Sequence, residues 1–599
     1  MTVLKIFNLR YSFFLLFLFA NNCTSTNPKS IQASSNQPQK KIWKRPNVPY
    51  LADDSTTRDT LLQTAHFQFI SHAAGLEKKQ VKELARQCEA TMDSLLHFIQ
   101  ANKKGPSISY HLYPSIEQKA LKKQGIATAT IETEKNNIHV VVNQHFQGSQ
   151  LHQENKLVLQ QFLKQPKVAA LEEGLSNHFT QNWQRKGYVY WCGKLFTSQN
   201  LPALTALIDN EHYEKESYLV MGAMSGVFVD FLLAKFGKVD FLENYATWIS
   251  QDLAELDTDW QLYLKELYKD FPKNTTSSKQ PTAYLKGFNF AHEGYRVFNG
   301  YGSQLAKESL EKLASLGNNA VAVVPYSFMR NPKQPSHLLI DHRDGGENDE
   351  SVLFSHFEAQ QLGMHTMLKP QIWIRGSWPG DVEMSSEQDW NRFFDNYYSW
   401  LRHYALLAEI NEFDSLCLGV EFAKATLSKE EEWRQLIQQV RGIYSGPITY
   451  AANWGDEFEQ LQFWDTLDFI GINCYYPLSA KTQPSKRELK KAWQGIISKI
   501  EKVQRRYNKP IVFTEIGFRS VESTWKNPHE EAKGRAFNEE NQALAYQVVL
   551  EGIQDKDWCK GVLWWKWPSY LDYKGAQNTG FAPTNKKAEA VVERWFKKQ

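Results

Sequence analysis

Eight short apolar runs punctuate the second half of the chain, at residues 286–290, 320–327, 365–373, 416–422, 447–454, 467–476, 510–518 and 560–567. They are rich in Val, Ile, Phe and small residues, and read as near-continuous hydrophobic segments rather than a strict in–out alternation. That is the pattern of strands covered on both faces. Between most of them lie stretches with apolar positions at helical spacing, such as 303–316, 386–410 and 486–507. Strand–helix alternation repeated eight times predicts a (β/α)₈ TIM barrel over 282–599, an α/β fold. An open doubly wound sheet is the alternative, but no glycine-rich phosphate turn follows the first strand.

The first half has a different texture. Val81, Leu84, Cys88, Met92, Leu95 and Ile99 recur at helical spacing, and 108–113 and 138–142 read as short strands. A mixed α+β domain is expected over 60–275, followed by a polar Asn/Thr/Ser boundary at 273–281. Residues 24–59 begin as a Ser/Asn/Gln/Lys/Pro tether with almost nothing apolar, expected to be a flexible linker. Residues 1–23 pair a positive start (Lys5, Arg10) with an apolar run too short to span a bilayer, which predicts a signal segment. Cys23 follows it directly. A short apolar region ending at a cysteine resembles a bacterial lipoprotein signal, which implies lipidation at Cys23, an exported protein and a membrane contact through that anchor alone. Ordinary secretion is the alternative.

Composition narrows the function classes. A chain of 599 residues exceeds one core, and 42% hydrophobic with 23% charged residues is ordinary for folded domains. A net charge of +3 with both signs interspersed offers no basic stripe for nucleic acid. The cysteines beyond Cys23 are odd in number and widely spaced, so neither a disulfide framework nor a metal knuckle is read from them. Aromatics reach 13%, with 19 Trp. Their faces suit sugar rings and apolar cores alike.

In a barrel of this kind chemistry sits at the C-terminal ends of the strands. Those ends carry Lys369, Gln371 and Trp373, with Trp378 beyond; Glu421; Asn453 and Trp454; Asn473, Tyr475 and Tyr476; Glu515; and Trp565, Lys566 and Trp567. Two carboxylates among aromatics, with no serine–histidine set, point to sugars. One carboxyl protonates the leaving oxygen while the other attacks the anomeric carbon or activates water. Strands four and seven face each other across the mouth, so Glu421 is the candidate acid/base and Glu515 the candidate nucleophile. Trp373, Trp378, Trp565, Trp567 and Tyr475 are candidate stacking surfaces or core fillers. Lys369 and Lys566 are candidate donors to sugar hydroxyls, or stems reaching for solvent. Asn453 is a candidate polar contact. Asp341, Asp344, Glu347 and His342 crowd one loop and read as a solvated, mobile segment rather than a metal site. No cofactor or metal is required, and the oligomeric state is left open.

Several segments in barrel order resemble glycoside hydrolase family 113, within the large clan of retaining enzymes with acid/base on strand four and nucleophile on strand seven. They are Met367-Leu368-Lys369-Pro370, Ile374-Arg375-Gly376-Ser377-Trp378, Gly419-Val420-Glu421-Phe422, Tyr450-Ala451-Ala452-Asn453-Trp454, Asp468-Phe469-Ile470-Gly471-Ile472-Asn473, Thr514-Glu515-Ile516-Gly517-Phe518 and Trp564-Trp565-Lys566-Trp567. The resemblance implies a retaining glycosidase acting on β-linked polysaccharide or oligosaccharide, β-1,4-mannan first, by double displacement. Two positions depart from the family pattern: Val420 stands where many clan members have Asn, and Gln371 where the family often has His. In the first half, Ala170-Leu171-Glu172-Glu173-Gly174 and the stretch from Tyr218 to Gly237 resemble glutamate-zincin peptidase-like domains, with Glu173 at the third ligand position. Gln153 and Leu157 replace both histidines of that family's paired motif, and His152 falls one residue out of register, so it is not expected to serve the same face as Glu173. A degenerate peptidase-like domain without metal is expected. The rival reading of the whole chain is a non-catalytic surface protein that binds glycan or protein, built from two retired enzyme folds.

Overall fold

The computed structural model describes residues 59–598 apart from short stretches at 73–77, 102–103, 123, 147–150, 181, 249–251, 273–282 and 576. The expected signal segment, Cys23, nearly all of the tether and the 273–281 boundary lie outside the described residues. Residues Thr56–Gln599 form one compact unit.

The first half is built on a five-stranded mixed sheet of β1 (Asp59–Gln63), β2 (Phe67–Ser71), β3 (Ile108–Tyr113), β4 (Ala129–Glu132) and β5 (Asn137–Val141), in the order β1-β2-β3-β5-β4. The inner pairs β2–β3 and β3–β5 are parallel, and the two edge strands run antiparallel. Helices including Lys78–Phe98, Ala169–His178 and Tyr218–Phe236 accompany it. Tyr218–Phe236 is long and apolar enough to cross a membrane, but most of it is buried in the protein as a core helix. Close packing explains its glycines: a Cβ on Gly222 would lie 2.6 Å from the Trp183 ring and one on Gly226 2.4 Å from the Tyr188 ring, while Gly174 of the neighbouring helix lets the two backbones meet.

One expectation for this half is corrected. His152 opens the helix His152–Phe162, and from that first turn its Nε2 comes within 2.9 Å of Glu173 Oε1. One turn on, Lys156 approaches Glu172 Oε2 (3.6 Å) and Glu173 Oε2 (3.7 Å). Being out of motif register did not turn His152 away, because a first-turn side chain still reaches the facing helix. Burial works to raise the Glu173 carboxyl, yet His152 and Lys156 outweigh it and hold it at about 2.

The second half is a closed, all-parallel barrel of β6 (Leu285–Ala291), β7 (Ala320–Val323), β9 (His365–Leu368), β11 (Ser415–Val420), β12 (Ile448–Asn453), β13 (Ile470–Asn473), β14 (Ile511–Ile516) and β15 (Cys559–Pro568). Its lumen is filled by Leu285, Ala320, Ala322, Met367, Cys417, Val420, Ala451, Phe469, Val512 and Leu563. The outward-facing Val321, Val323, Ile472 and Phe513 join the larger core under the helices. Large side chains such as Phe469, Met367 and Leu563 interleaved with alanines make the lumen a packed core rather than a pore.

The second and third predicted strands are each broken by a proline. Pro325 and Pro370 end β7 and β9, and the chain resumes as a separate parallel pair, β8 (Tyr326–Met329) and β10 (Gln371–Ile374), beyond the barrel's C-terminal rim. A missing N–H at each proline interrupts the ladder at the same level in both strands. The five cysteines among the described residues are buried and free.

Candidate active site

Glu421 and Glu515 are brought to the barrel mouth by irregularities in their strands. The register of β13 against β14 shifts where Asn473 pairs with Glu515 instead of Thr514, a bulge that turns Thr514 and Glu515 toward the mouth together. A second shift in β11 precedes Val420, and Glu421 then adopts φ 58°, a left-handed backbone that non-glycine residues rarely hold. Its amide still donates to the Ala451 carbonyl at 2.9 Å. The turn is braced from outside: the Phe422 amide donates to Tyr450 Oη (2.6 Å), which donates to Glu457 (2.7 Å). Glu457 also accepts from the Thr426 hydroxyl and the Asn453 amide. Burial pushes its carboxyl up to about 7 against those donors.

Three donors converge on Glu515. Lys369 Nζ at 2.5 Å and Gln371 Nε2 at 3.1 Å donate to Oε1, and the Tyr475 hydroxyl at 2.8 Å donates to Oε2. Both oxygens of this carboxyl are therefore used as acceptors, one of them from a lysine. Lys369 is held in turn by Asn289 Oδ1 at 2.9 Å, and Asn289 Nδ2 donates to the Thr514 carbonyl at 2.9 Å. Glu421 has one polar side-chain partner shown, Asn473 Nδ2 at 2.9 Å. Burial raises its carboxyl first and the charge of Glu515 adds to it, while Asn473 opposes; the result is about 8. One carboxyl thus holds its proton to about pH 8 beside one on which three donors converge, the division of environments an acid and a nucleophile require.

Next to this pair opens a cleft of about 430 Å³ lined by His292, Glu293, Tyr295, Tyr326, Phe328, Glu347, Trp373, Trp565 and Lys566. Tyr295, Phe328 and Trp373 are among the most exposed large hydrophobic side chains described. Trp373 and Phe328, which meet edge-on at 5.9 Å, stand on the β8–β10 pair that the two prolines created. Lys566 forms an ion pair with Glu293 at the cleft edge.

The remaining sequence candidates are sorted by this geometry. Trp565 lines the cleft and lies over Lys369 at 5.7 Å. Trp567 does not reach it: the side chain is fully buried on the outside of the barrel, where Nε1 donates to Ser309 Oγ (2.9 Å). Strict alternation would put 565 and 567 on one face; the register shift of β15 between Trp564 and Trp567 sends them to different surroundings. Tyr475 is buried and serves Glu515 as a donor rather than offering its face, and Lys369 is completely buried as that residue's counter-ion rather than reaching for a sugar hydroxyl or solvent. Trp378 packs over Gly380 in the loop after β10, outside the cleft lining. Asn453 ends β12 beside Asn473, half-buried, and its backbone N–H donates to Glu457 Oε2. The loop with Asp341, His342, Asp344 and Glu347 is exposed at residues 342–344, as expected, yet anchored: Asp344 accepts from the Ile126 amide, and Glu347 is buried with its carboxyl accepting from the Tyr326 amide. Sequence reasoning places Asn473 at a strand end without a role, and misses Asn289, Glu347, Tyr295 and Phe328 as parts of the site. A polar residue inside an apolar strand, as at Asn289, was the available signal.

Residues 289–586 match the model of Glycoside Hydrolase Family 113. The C-terminal barrel is therefore similar to a glycosidase family along nearly its whole length. Among solved structures, a complex of a GH113 β-1,4-mannanase is 25% identical, with 53% of this chain and 100% of that one covered and a TM-score of 0.48. The GH113 β-mannanase of Alicyclobacillus acidocaldarius is 26% identical over 53% of this chain and 98% of its own, again at 0.48. A β-glucuronidase from Ruminococcus gnavus is 15% identical over 53% and 49%, at 0.36. No curated protein matches the chain.

Proposed function

We propose that the protein is a retaining β-glycosidase that cleaves β-1,4-mannan or a closely related β-linked glycan. The observation that carries this reading is the opposed state of the two carboxyls: Glu421 pushed up to about 8, Glu515 surrounded by Lys369, Gln371 and Tyr475. In the first step a Glu515 oxygen attacks the anomeric carbon, the bond from that carbon to the bridging oxygen breaks, and Glu421 gives its proton to the departing oxygen. In the second, ionised Glu421 takes a proton from water, whose oxygen attacks the same carbon and releases Glu515. Lys369 and Tyr475 stabilise the charge that returns to Glu515 at that moment.

Mannan preference rests on the family match of residues 289–586. Export with lipidation at Cys23 also belongs to the proposal, on the strength of residues 1–23 alone. The test is a panel of β-mannan, β-glucan and β-xylan oligosaccharides run on wild type beside Glu515→Gln and Glu421→Ala. Both variants are expected to lose at least about a hundredfold in rate, and azide is expected to restore turnover of an activated aryl glycoside to Glu421→Ala. Equal activity in all three proteins ends the assignment, and inverted product at the anomeric carbon ends the double displacement.

A further inference from the structure

The cleft beside the two carboxyls is only partly a product of the barrel's own packing. Two loops at the C-terminal rim build one wall: 292–303 after β6 carries His292, Glu293 and Tyr295, and 330–348 after β8 carries Glu347. Both are gripped by one segment of the N-terminal half, residues 115–126.

The grip begins at Glu117, 2% exposed, whose Oε2 accepts from the amide of Gln304, the first residue of the helix Gln304–Ser315. An anion there answers the unpaired amides of a helix start. Beside it Ile116 packs so tightly on Gly302 that a Cβ on that glycine would lie 2.6 Å from Ile116 Cδ1. Lys119 is fully buried and donates to the carbonyls of Gln124 (2.5 Å) and Gly125 (3.2 Å), which sets the turn that presents the next amide. That amide, of Ile126, donates to Asp344 Oδ1 at 2.8 Å. The loop beyond Asp344 is knit by Asp341, which accepts from the Glu347 amide (3.2 Å), and by Asn348 Nδ2, which donates to the Arg343 carbonyl (2.8 Å). Glu347 thereby reaches the Tyr326 amide at 2.5 Å and comes within 3.6 Å of His292 Nδ1, three residues that line the cleft together. The apolar side of the same contact joins Ile116, Ala120 and Ile126 to Phe354 and Phe357, with Val297 of the first loop packed against them.

We propose that the N-terminal half is a working part of the glycan cleft, with Asp344 as a positioning residue that transmits its hold to Glu347 and His292. This rests on the glycosidase reading above. A charge-bearing lysine buried to shape one turn is costly, and its geometric result is the amide that fixes Asp344.

The test uses the full chain with Asp344→Ala and Asp344→Asn, the second of which keeps an acceptor for the Ile126 amide. Steady-state kinetics on the best oligosaccharide of the panel should show KM raised at least about fivefold in Asp344→Ala, with kcat within about twofold. Asp344→Asn should stay within about twofold of wild type on both. Amide hydrogen exchange should quicken in residues 292–303 and 338–348 of Asp344→Ala and not in Asp344→Asn. Unchanged KM and exchange in Asp344→Ala overturn the proposal, as does faster exchange spread through the whole chain or confined to residues 59–267. A wild type that hydrolyses no glycan sinks the glycosidase reading instead, and the localised exchange pattern then decides this inference alone.

Discussion

Asn473 joins the two carboxyl-bearing strands: its Nδ2 donates to Glu421 Oε1 at 2.9 Å, while its Oδ1 accepts from the Thr514 hydroxyl at 3.0 Å. Thr514 immediately precedes Glu515, so the proposed acid/base and the proposed nucleophile share one hydrogen-bonded strut across β11, β13 and β14. A fixed strut keeps the distance between two reacting groups constant without cost at the moment of reaction.

The strut also tunes Glu421. A general acid must carry its proton, so kcat/KM is expected to fall as pH rises through about 8. Asn473 favours the ionised form, so Asn473→Ala is expected to move this alkaline limb to higher pH while lowering the rate at neutrality. A pH–rate profile of the two proteins reads it directly. An unmoved limb means another group carries the proton.

The same carboxyl sets a stability signature. Its folded value of about 8 lies above the ordinary 4.5. The folded state then holds a proton that the unfolded state releases, and stability drains away as pH rises from about 4.5 to about 8. Glu421→Gln cannot ionise, so it should match wild type below pH 4.5 and melt at least about 2 °C higher at pH 9. Calorimetry at the two pH values checks both halves, and a wild type that is the more stable protein at pH 9 rejects the account.

Lys369 and Glu515 form a buried pair, 0% and 7% exposed at their side chains. Removing one partner strands the other's charge, which typically costs about 3–5 kcal/mol, while removing both is far milder. Lys369→Met and Glu515→Gln are each expected to unfold at lower denaturant, and the double variant to recover most of that loss. Activity should stay absent in all variants with Glu515→Gln. Additive destabilisation in the double variant would show that the two side chains act independently.

Two tryptophans separate binding from packing. Trp373 is 49% exposed in the cleft, and Trp373→Ala is expected to raise KM about tenfold for longer oligosaccharides, about 1.4 kcal/mol of lost contact, with stability unchanged. Trp567→Phe loses the bond to Ser309 and is expected to cost about 1 kcal/mol of stability with KM unchanged. Reversed effects would place the sugar on the other side of β15.

The barrel was legible because period and length survive in one dimension. Eight doubly covered strands and their amphipathic helices read directly from the order of apolar residues, and the candidate acid pair followed from the strand ends. What the tertiary structure decided is where side chains point. Bulges in β11 and β14 add residues without a composition signal, and they alone turn Glu421, Thr514 and Glu515 toward the mouth. The prolines at 325 and 370 were visible, but their shared level, which makes β8 and β10 a separate platform for Phe328 and Trp373, exists only once the strands are adjacent. In sequence Lys369 reads as a donor to sugar hydroxyls or a solvent-reaching stem and Tyr475 as a stacking face or core filler; both become buried partners of Glu515 because three strand ends converge on it. The hold of Ile126 on Asp344 spans residues far apart in the chain. Local periodicity encodes burial one element at a time, whereas hydrogen bonds between distant elements depend on register, which is fixed by packing of the whole.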